Sequence, residues 1–284
     1  MKNNIMIMNF SGVYEIQGLR AALEKKVDSV VAENMAAKPV ITQLDCQDIP
    51  GTNCYCDSLA EEEIGKRIIP FGPEGLHFLD SGNYHYLTKL WLELVKEPFE
   101  LLVFDHHTDM QCPAFGGILS CGGWIREALE TNENLKHVIL VGPPQASMEE
   151  MKKELAEDGE ELMGKVTWIS EEEFLQNVEK PDWIQKLCGQ CNVTGAEADE
   201  KELLPLYISI DKDVLSESEG KTNWDQGNVV LDQVLQVIDV YMQQTPGRQH
   251  IGMDICGEDP EADNEEVQTV CRKTSEKICV FFFC

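Results

Sequence analysis

Short, almost continuous apolar runs alternate with longer, charged stretches along this chain. Each apolar run is predicted to be a buried parallel strand; the runs are IMIMNF (5–10), LLVFDHH (101–107), HVILVG (137–142), LYISIDKD (206–213) and HIGMDICG (250–257). The stretches between them predict helices over 18–36, 87–98, 122–132, 147–164 and 231–247. Strands that alternate with helices predict an α/β fold, a three-layer α/β/α sandwich with a central, mostly parallel sheet.

The length and the chain ends refine this prediction. The chain has 284 residues and no low-complexity linker, so we expect a single domain over 1–284. The C-terminal ICVFFFC (278–284) is predicted to be a buried strand or a docking tail, and the acidic stretch 195–205 a surface loop. No apolar run reaches the roughly 18 residues that cross a bilayer, and the N-terminus does not resemble a signal peptide. We therefore expect a cytoplasmic protein.

Charge narrows the possible partners. The formal charge is −28, from 51 acidic and 23 basic residues. Such a charge repels nucleic acid and anionic membranes and attracts cations, so we expect no nucleic-acid or membrane partner. The 11 cysteines, without a secretory signal, indicate reduced thiols. The close pairs Cys54/Cys56 and Cys188/Cys191 lack a second ligand pair at zinc spacing, and we interpret them as small apolar side chains.

Acidic residues follow three of the predicted strands. The segments are Asp105-His106-His107-Thr108-Asp109 after LLVF, Asp211-Lys212-Asp213 after LYISI, and Asp254 after HIGM. In open α/β sheets, ligands bind beyond the carboxyl ends of the strands. Because side chains alternate between the two faces of a strand, Asp105, His107 and Asp109 are expected on one side. By the same rule His106 turns away, hydrogen-bonded behind the site, and Lys212 faces away from its two neighbouring aspartates.

Four carboxylates that meet in one crevice require a cation. Like charges disfavour ionisation, so the carboxylates cannot all stay ionised without one. Two divalent ions would balance four carboxylates, and a mixture of carboxylate and imidazole ligands suits manganese or a similar ion. A two-metal site can hold a bridging hydroxide as nucleophile near neutral pH. A single D-x-D or H-x-D is more often a cap or a polar pair, and it is the combination on two strand ends that predicts a metal site.

Three segments resemble motifs of the ureohydrolases, the arginase and agmatinase family. DHHTD (105–109) is similar to their D-x-H-x-D motif and SIDKDVL (209–215) to their S-x-D-x-D motif; DSGNYHYLT (80–88) stands where a glycine-rich turn ends in a metal-binding histidine. The resemblance implies two Mn²⁺ ions per chain, one held by His85, Asp105, Asp109 and Asp211, the other by His107, Asp105, Asp211 and Asp213. It also implies that Asp109 is catalytic, because it accepts a hydrogen bond from the bridging hydroxide.

The resemblance further implies what the protein does. Members of this family cleave a linear, non-peptide C–N bond of a small guanidino or amidino compound through the metal-bridging hydroxide. We therefore expect a metal-dependent hydrolase with a small-molecule substrate. Because members of this family commonly form trimers or hexamers, the resemblance also implies that this protein forms a homo-oligomer.

The substrate-binding segments depart from the family. The turn Gly-Gly-Asp-His is here Gly82-Asn83-Tyr84-His85, and the segment Ser-Gly-Asn-x-His is Ser120-Cys121-Gly122-Gly123-Trp124, without its proton-shuttling histidine. The guanidinium-binding glutamate falls at Gly257, one residue before Glu258. These departures make a true arginase improbable. The candidate substrate-binding residues are Tyr84, Trp124, Trp224, Asp225 and Glu258.

Two other hypotheses fit parts of the pattern. A deacetylase-type amidohydrolase, which shares the fold, would use one zinc ion and an adjacent histidine pair, which His106 and His107 superficially match. A non-catalytic relative would keep the metal site as a structural element or a sensor, and the missing shuttle histidine supports that alternative. The second aspartate in each motif, Asp109 and Asp213, fits the two-metal pattern better than the one-zinc pattern.

Overall fold

A computed structural model describes residues 4–34, 38–113, 116–158, 160–190, 204–244 and 248–283. Its strands are β1 (Asn4–Asn9), β2 (Val40–Asp45), β3 (Tyr55–Cys56), β4 (Gly75–Phe78), β5 (Phe99–Phe104), β6 (Leu119–Ser120), β7 (Leu135–Val141), β8 (Val166–Ile169), β9 (Leu206–Asp211) and β10 (His250–Cys256). Its helices are α1 (Val13–Gln17), α2 (Leu19–Asn34), α3 (Ser58–Ile68), α4 (Leu87–Leu92), α5 (Trp124–Thr131), α6 (Gln145–Asp158), α7 (Glu160–Met163), α8 (Glu171–Asn177), α9 (Pro181–Gln190), α10 (Leu231–Gln244) and α11 (Glu265–Phe283).

Eight strands form one sheet in the order β2-β1-β4-β10-β9-β5-β7-β8. All neighbouring pairs in this sheet are parallel. The five apolar runs form five of these strands, within one or two residues of the predicted starts. The sequence did not predict β2, β4 or β8, because β2 is a partly polar edge strand and the other two have only four residues each. The small strands β3 and β6 form a separate antiparallel pair.

Helices cover both faces of the sheet, and strand alternation divides the interior into two cores. In β5, Leu102 and Phe104 pack into a core that also contains side chains of α2, α10 and α11. Leu101 and Val103 pack into the other core, with side chains of α3, α4 and α5. Burial on both faces explains why the central strands are continuously apolar. The predicted α/β sandwich with a parallel sheet is confirmed.

One predicted element is wrong, and another is too long. The segment 278–283 belongs to α11 and is not a strand; the buried positions of this helix, Cys271, Thr274, Ser275, Ile278 and Cys279, recur at helical spacing. The helix predicted over 87–98 ends at Leu92. Most of the acidic stretch 195–205, and Cys191 of the close cysteine pair, lie outside the described residues. Within the described part of the chain, no helix is long and apolar enough to cross a membrane.

Acid should destabilise the fold through His77 on β4. This residue is buried, its ring stacks on Trp91 with centroids 3.9 Å apart, and its Nδ1 lies 2.9 Å from the Tyr207 hydroxyl. Burial lowers the pKa of His77 to about 3. In the unfolded chain this histidine binds a proton below pH ~6.5, whereas in the folded chain it stays neutral until about pH 3. The free energy of unfolding therefore falls as the pH drops through this range.

We expect His77→Gln, which cannot be protonated, to make this pH dependence shallower. One proton corresponds to ~1.4 kcal/mol per pH unit. Urea unfolding of both proteins between pH 6 and pH 4 measures the two slopes. Equal slopes would show that His77 does not carry this acid sensitivity.

Candidate metal centre

The six predicted metal ligands come together at the carboxyl edge of the sheet. His85 follows a 3-10 turn, Gly82–Tyr84, after β4; Asp105 follows β5; Asp211 ends β9, and Asp213 lies in the next turn. Strands β5 and β9 are neighbours, which brings their two acidic segments side by side. Strand β10 lies between β9 and β4. The assembly therefore depends on parallel strands that end at the same edge.

One group surrounds the imidazole of His85. The Nδ1 atom lies 3.1 Å from Oδ2 of Asp105, 3.1 Å from Oδ2 of Asp109 and 3.5 Å from Oδ2 of Asp211. All four side chains are buried. Three carboxylate oxygens thus lie within 3.5 Å of one imidazole nitrogen.

A second group surrounds the imidazole of His107. Its Nδ1 atom lies 2.8 Å from Oδ2 of Asp213 and 3.6 Å from Oδ1 of Asp105. Asp105 therefore offers one oxygen to each group. The ligand atoms of His85, Asp105 and Asp109 lie within 4.8 Å of one another, and so do those of His107, Asp105 and Asp213. Two adjacent imidazole–carboxylate groups that share a carboxylate are the arrangement expected of a two-ion site. The individual ligand assignments remain predictions.

The orientation of His85 indicates that a cation belongs between these groups. Its Nε2 lies 2.9 Å from the Ser209 hydroxyl, which donates to Asp254 Oδ1 at 2.6 Å. Since that hydroxyl proton goes to Asp254, we infer that Nε2–H donates to Ser209, which leaves Nδ1 to face the carboxylates. Burial opposes the protonation of His85, but Cys256 and the acids Asp105 and Asp109 raise its pKa well above the usual value, so Nδ1 carries a proton when no metal is bound. Nδ1 and Asp105 Oδ2 both lack a hydrogen-bond partner among the described residues. A divalent ion can replace that proton, because the deprotonated Nδ1 then offers a lone pair beside carboxylate oxygens, and the donor set therefore fits such an ion.

The electrostatics of the protein groups alone agree with this fit. Burial, together with the charge of Asp105, raises the pKa of Asp109 to about 7. Burial and the charges of Asp211 and Asp105 raise the pKa of Asp213 well above its usual value. Burial opposes the protonation of His107, but hydrogen bonds to Asp105 and Asp213 raise its pKa to about 12. The cluster therefore tends to gather positive charge, as protons or as metal ions.

A cavity of about 590 Å³ opens onto these groups. Besides the aspartates and His107, its lining includes His106, Gln111, Ser120, Glu150, Glu154 and Trp224. None of the described lining residues is a lysine or an arginine. A site with excess negative lining favours neutral or cationic ligands over carboxylates.

Trp224 forms a wall of the cavity, as expected for a substrate-binding candidate. Its ring lies edge-on to His107, with centroids 5.6 Å apart, and its indole Nε1–H donates to Asn83 Oδ1 at 2.8 Å. Gly82 makes this approach possible, because a Cβ there would lie 2.9 Å from Trp224 Cδ1 and 3.1 Å from Asp211 Oδ2. The ring is 39% exposed, so it remains accessible to a small molecule.

The position expected for His106 needs correction. The residue is part of the cavity lining, while its buried Nδ1 atom lies against Gly227, where a Cβ would be 3.0 Å away. The expected hydrogen bond is made by its backbone, whose N–H donates to Asp213 Oδ1 at 3.0 Å. The residue leaves the strand geometry after Phe104, where β5 ends, so the alternation rule no longer applies. The Nδ1 atom has no hydrogen-bond partner among the described residues.

Four further candidates lie away from the cavity lining. Tyr84 is buried and stacks on Phe10 with centroids 4.7 Å apart. Trp124 is fully buried behind Asp109, and Asp225 is exposed on the surface loop.

Glu258 is the fourth, and it is fully buried. It forms an ion pair with Lys212 and accepts a hydrogen bond from Gln17. Lys212 indeed faces away from the aspartates on either side of it and holds this acid, so Glu258 is not available to a ligand in the cavity.

Sequence patterns missed Cys256 at the end of β10. Its thiol donates to Asp211 Oδ2 at 3.0 Å, and Sγ forms a compact group with His85 and Asp211. The next residue, Gly257, has φ of +94°, and a Cβ there would lie 2.4 Å from Asp211 Oδ1. The cysteine was visible in the run HIGMDICG, but only the strand order reveals that β10 lies between β9, which ends in Asp211, and β4, which precedes His85.

Solved structures of known enzymes share this architecture. They include formimidoylglutamase of Bacillus subtilis (TM-score 0.67, 17% identity, 98% of this chain and 85% of that chain). Proclavaminate amidino hydrolase of Streptomyces clavuligerus aligns with TM-score 0.67 and 15% identity over 99% of this chain and 90% of that one. Arginase of Medicago truncatula aligns with TM-score 0.62 and 14% identity over 98% and 85%. The chain thus has the arginase-like α/β fold, as its motifs implied.

A sequence relative defines the family more narrowly. The chain is 31% identical to an uncharacterized protein of Thermotoga maritima over 255 residues, which is 90% of this chain and 80% of that protein. It belongs to the same family as that Thermotoga protein. No model of a protein family matches the chain.

Divalent metal should stabilise the protein through Asp105, because this carboxylate belongs to both groups. We expect addition of Mn²⁺ to chelator-treated protein to raise Tm, since an ion that binds only the folded state stabilises it; at 100 times Kd the gain is about 2.7 kcal/mol. Asp105→Asn should abolish most of this rise. Differential scanning calorimetry measures both.

Asp263→Asn is the control for this experiment, because Asp263 is an exposed acid remote in sequence from the ligands. It should respond to Mn²⁺ like the wild type. An equal rise in Tm for Asp105→Asn and the wild type would contradict the assignment of Asp105.

Proposed function

We propose that this protein is a dinuclear metal hydrolase that cleaves a linear, non-peptide C–N bond in a small guanidino- or amidino-type substrate. The observation that carries the proposal is the pair of buried imidazole–carboxylate groups that share Asp105 at the base of a cavity. A purely structural site has no need of an open cavity beside its ligands. The arginase-like fold makes the same chemistry plausible by analogy.

We propose two divalent ions, with Mn²⁺ as the first choice. Four carboxylates and two imidazoles balance the charge of two such ions and match the ligand preference of manganese. His85, Asp105, Asp109 and Asp211 would hold one ion, and His107, Asp105, Asp211 and Asp213 the other. When bound, the ions would supply Lewis-acid chemistry, lowering the pKa of water and polarising the carbon that is attacked.

The protein residues would orient the reactants. Asp109 is held in a fixed position beside both groups, so its carboxylate can accept a proton from, and align, the attacking water. Trp224 and His106 line the cavity next to the second group and can contact the substrate directly. Stacking on Trp224 suits a flat, cationic amidine or guanidine.

The cavity argues against arginine itself as the substrate. The described lining contains no lysine or arginine and therefore offers no cationic partner for an amino-acid carboxylate. We therefore expect a neutral or cationic amidino compound without a carboxylate. Assembly into a homo-oligomer remains a prediction, which light scattering would check.

Two alternatives remain testable. The non-catalytic hypothesis is favoured by the pairing of Glu258 and by a tryptophan in place of the shuttle histidine. The deacetylase hypothesis requires a single zinc ion, whereas Asp109 and Asp213 each complete a different group. Metal analysis of purified protein separates the proposal from the deacetylase hypothesis: two ions per chain favour the proposal, and one ion favours the deacetylase type.

Turnover should depend on Asp109. We expect the metal-loaded protein to release urea, ammonia or an amine from members of a panel of guanidino and amidino compounds. Asp109→Asn keeps the size of the side chain but removes its charge, and should lower kcat by about 100-fold or more, in the range of a lost general base. Asp263→Asn should retain wild-type kcat. A wild-type protein that binds two ions but cleaves no compound of the panel would support the non-catalytic hypothesis.

Replacement of His106 should reduce substrate turnover without reducing metal binding. We expect His106→Ala to lower kcat/KM by about tenfold, which corresponds to one lost hydrogen bond of ~1.4 kcal/mol. Its metal content should remain that of the wild type, because His106 belongs to neither ligand group. Steady-state kinetics with metal analysis measures both quantities; loss of metal together with activity would place His106 among the ligands instead.

A further inference from the structure

Trp124 contacts the candidate metal ligands from behind. It is the first residue of α5, its side chain is fully buried, and it is not part of the cavity lining. Its indole Nε1–H donates to Asp109 Oδ2 at 2.6 Å, and its ring lies 4.8 Å from that of His85. Trp124 thus contacts two members of the group around His85.

The main chain of Asp109 depends on the same helix. Asp109 has φ of +48°, in the left-handed region that non-glycine residues adopt at a cost of order 1–3 kcal/mol. Its carbonyl oxygen accepts a hydrogen bond from the Ile125 N–H at 3.0 Å. The first turn of α5 therefore holds Asp109 at two points, one on the main chain and one on the carboxylate.

Close packing stabilises this arrangement. The N–H of Gln111 donates to the Gly122 carbonyl at 2.9 Å. At Gly123, a Cβ would lie 2.9 Å from the Gln111 carbonyl oxygen. The two glycines before Trp124 thus allow the segment after the ligand strand to lie directly against the start of α5.

The chemistry of indole suits a fixed carboxylate. Indole is only a donor and does not titrate, so its bond to Asp109 keeps one direction at every pH. Without that bond, repulsion from the neighbouring Asp105 would favour rotation of Asp109 away from the group. The bond therefore opposes the repulsion before any ion is bound.

We propose that Trp124 is a positioning residue that sets the metal affinity of one ion position, the one formed with His85 and Asp109. The inference rests on the proposed metal site, but not on any catalytic activity. Trp124 acts on the ion through Asp109 and does not touch the substrate. The second position, around His107 and Asp213, does not include a ligand bonded to Trp124 and should be independent of it.

Trp91 supplies a matched control. It is also fully buried, lies on α4, and stacks on a histidine ring. Its Nε1 atom has no hydrogen-bond partner among the described residues. Replacing either tryptophan by phenylalanine removes the same atoms from the same core, but only Trp124→Phe removes a hydrogen bond to a candidate ligand.

Calorimetric titration of chelator-treated protein with Mn²⁺ tests the inference. We expect Trp124→Phe to weaken one of two binding events by about 10- to 100-fold, the usual effect of losing a partner of a metal ligand. The other event, and both events in Trp91→Phe, should be unchanged. Wild-type affinities at both positions in Trp124→Phe, or equal losses in both variants, would overturn the proposal.

If Trp124→Phe does not fold, the inference can still be tested by a measurement on the intact Trp124 side chain. The chain has five tryptophans, whose indole N–H signals can be followed by NMR. In Trp224→Phe, which removes the other indole beside the site, addition of diamagnetic Zn²⁺ should shift one downfield, exchange-protected indole signal. The absence of such a shift while Zn²⁺ binds would refute the role of Trp124.

These outcomes separate the inference from the proposed function. A protein that binds two ions, shows the selective loss in Trp124→Phe and yet cleaves no substrate would refute the function and support the inference. A protein that cleaves amidino compounds and is indifferent to Trp124→Phe would do the reverse. A wild-type chain that binds no divalent ion would overturn both.

Discussion

The mutual repulsion of four buried carboxylates is the constraint on which the rest of this site depends. Asp105, Asp109, Asp211 and Asp213 lie within one cluster and are almost fully withdrawn from water. Their burial is tolerable only if positive charge lies among them, and two imidazoles supply only part of it. Hydrogen bonds from backbone and side chains hold the carboxylates in place, and the remaining deficit is what makes the cluster suited to divalent ions.

The parallel sheet makes such a concentration possible. Each strand that ends at the same edge delivers its next polar residue to the same crevice, while the apolar strands behind it are buried in two cores. Buried polar partners then fix the orientation of each ligand. Ser209 and Asp254 orient His85, and Trp124 holds Asp109. These hydrogen bonds to the ligands matter as much as the ligands themselves, because a site whose ligand side chains can rotate binds its metal ion more weakly.

The cavity lining departs from the arginase family, whereas the metal groups resemble it. The ligand segments keep the spacing of the arginase family, whereas Lys212 pairs with the acid that follows β10, and a tryptophan occupies the place of the shuttle histidine. The cavity is bordered by Trp224, His106 and two glutamates, without a basic residue among its described lining. A shared reaction centre with a different substrate is the simplest account of this combination.

The sequence by itself determined the central strands, because continuous apolar runs are local patterns. The acids that follow the strands, together with the resemblance to ureohydrolase motifs, indicated the six candidate ligands. It did not determine β2, β4 and β8, which are short or partly polar, nor the helical C-terminus, where VFFF is apolar in either conformation. Only the tertiary structure decided that His106 enters the cavity, that Glu258 leaves it, and that Cys256 and Trp124 support the ligands. These positions depend on where strands end and which strands are neighbours, and that information resides in contacts between residues far apart in the chain.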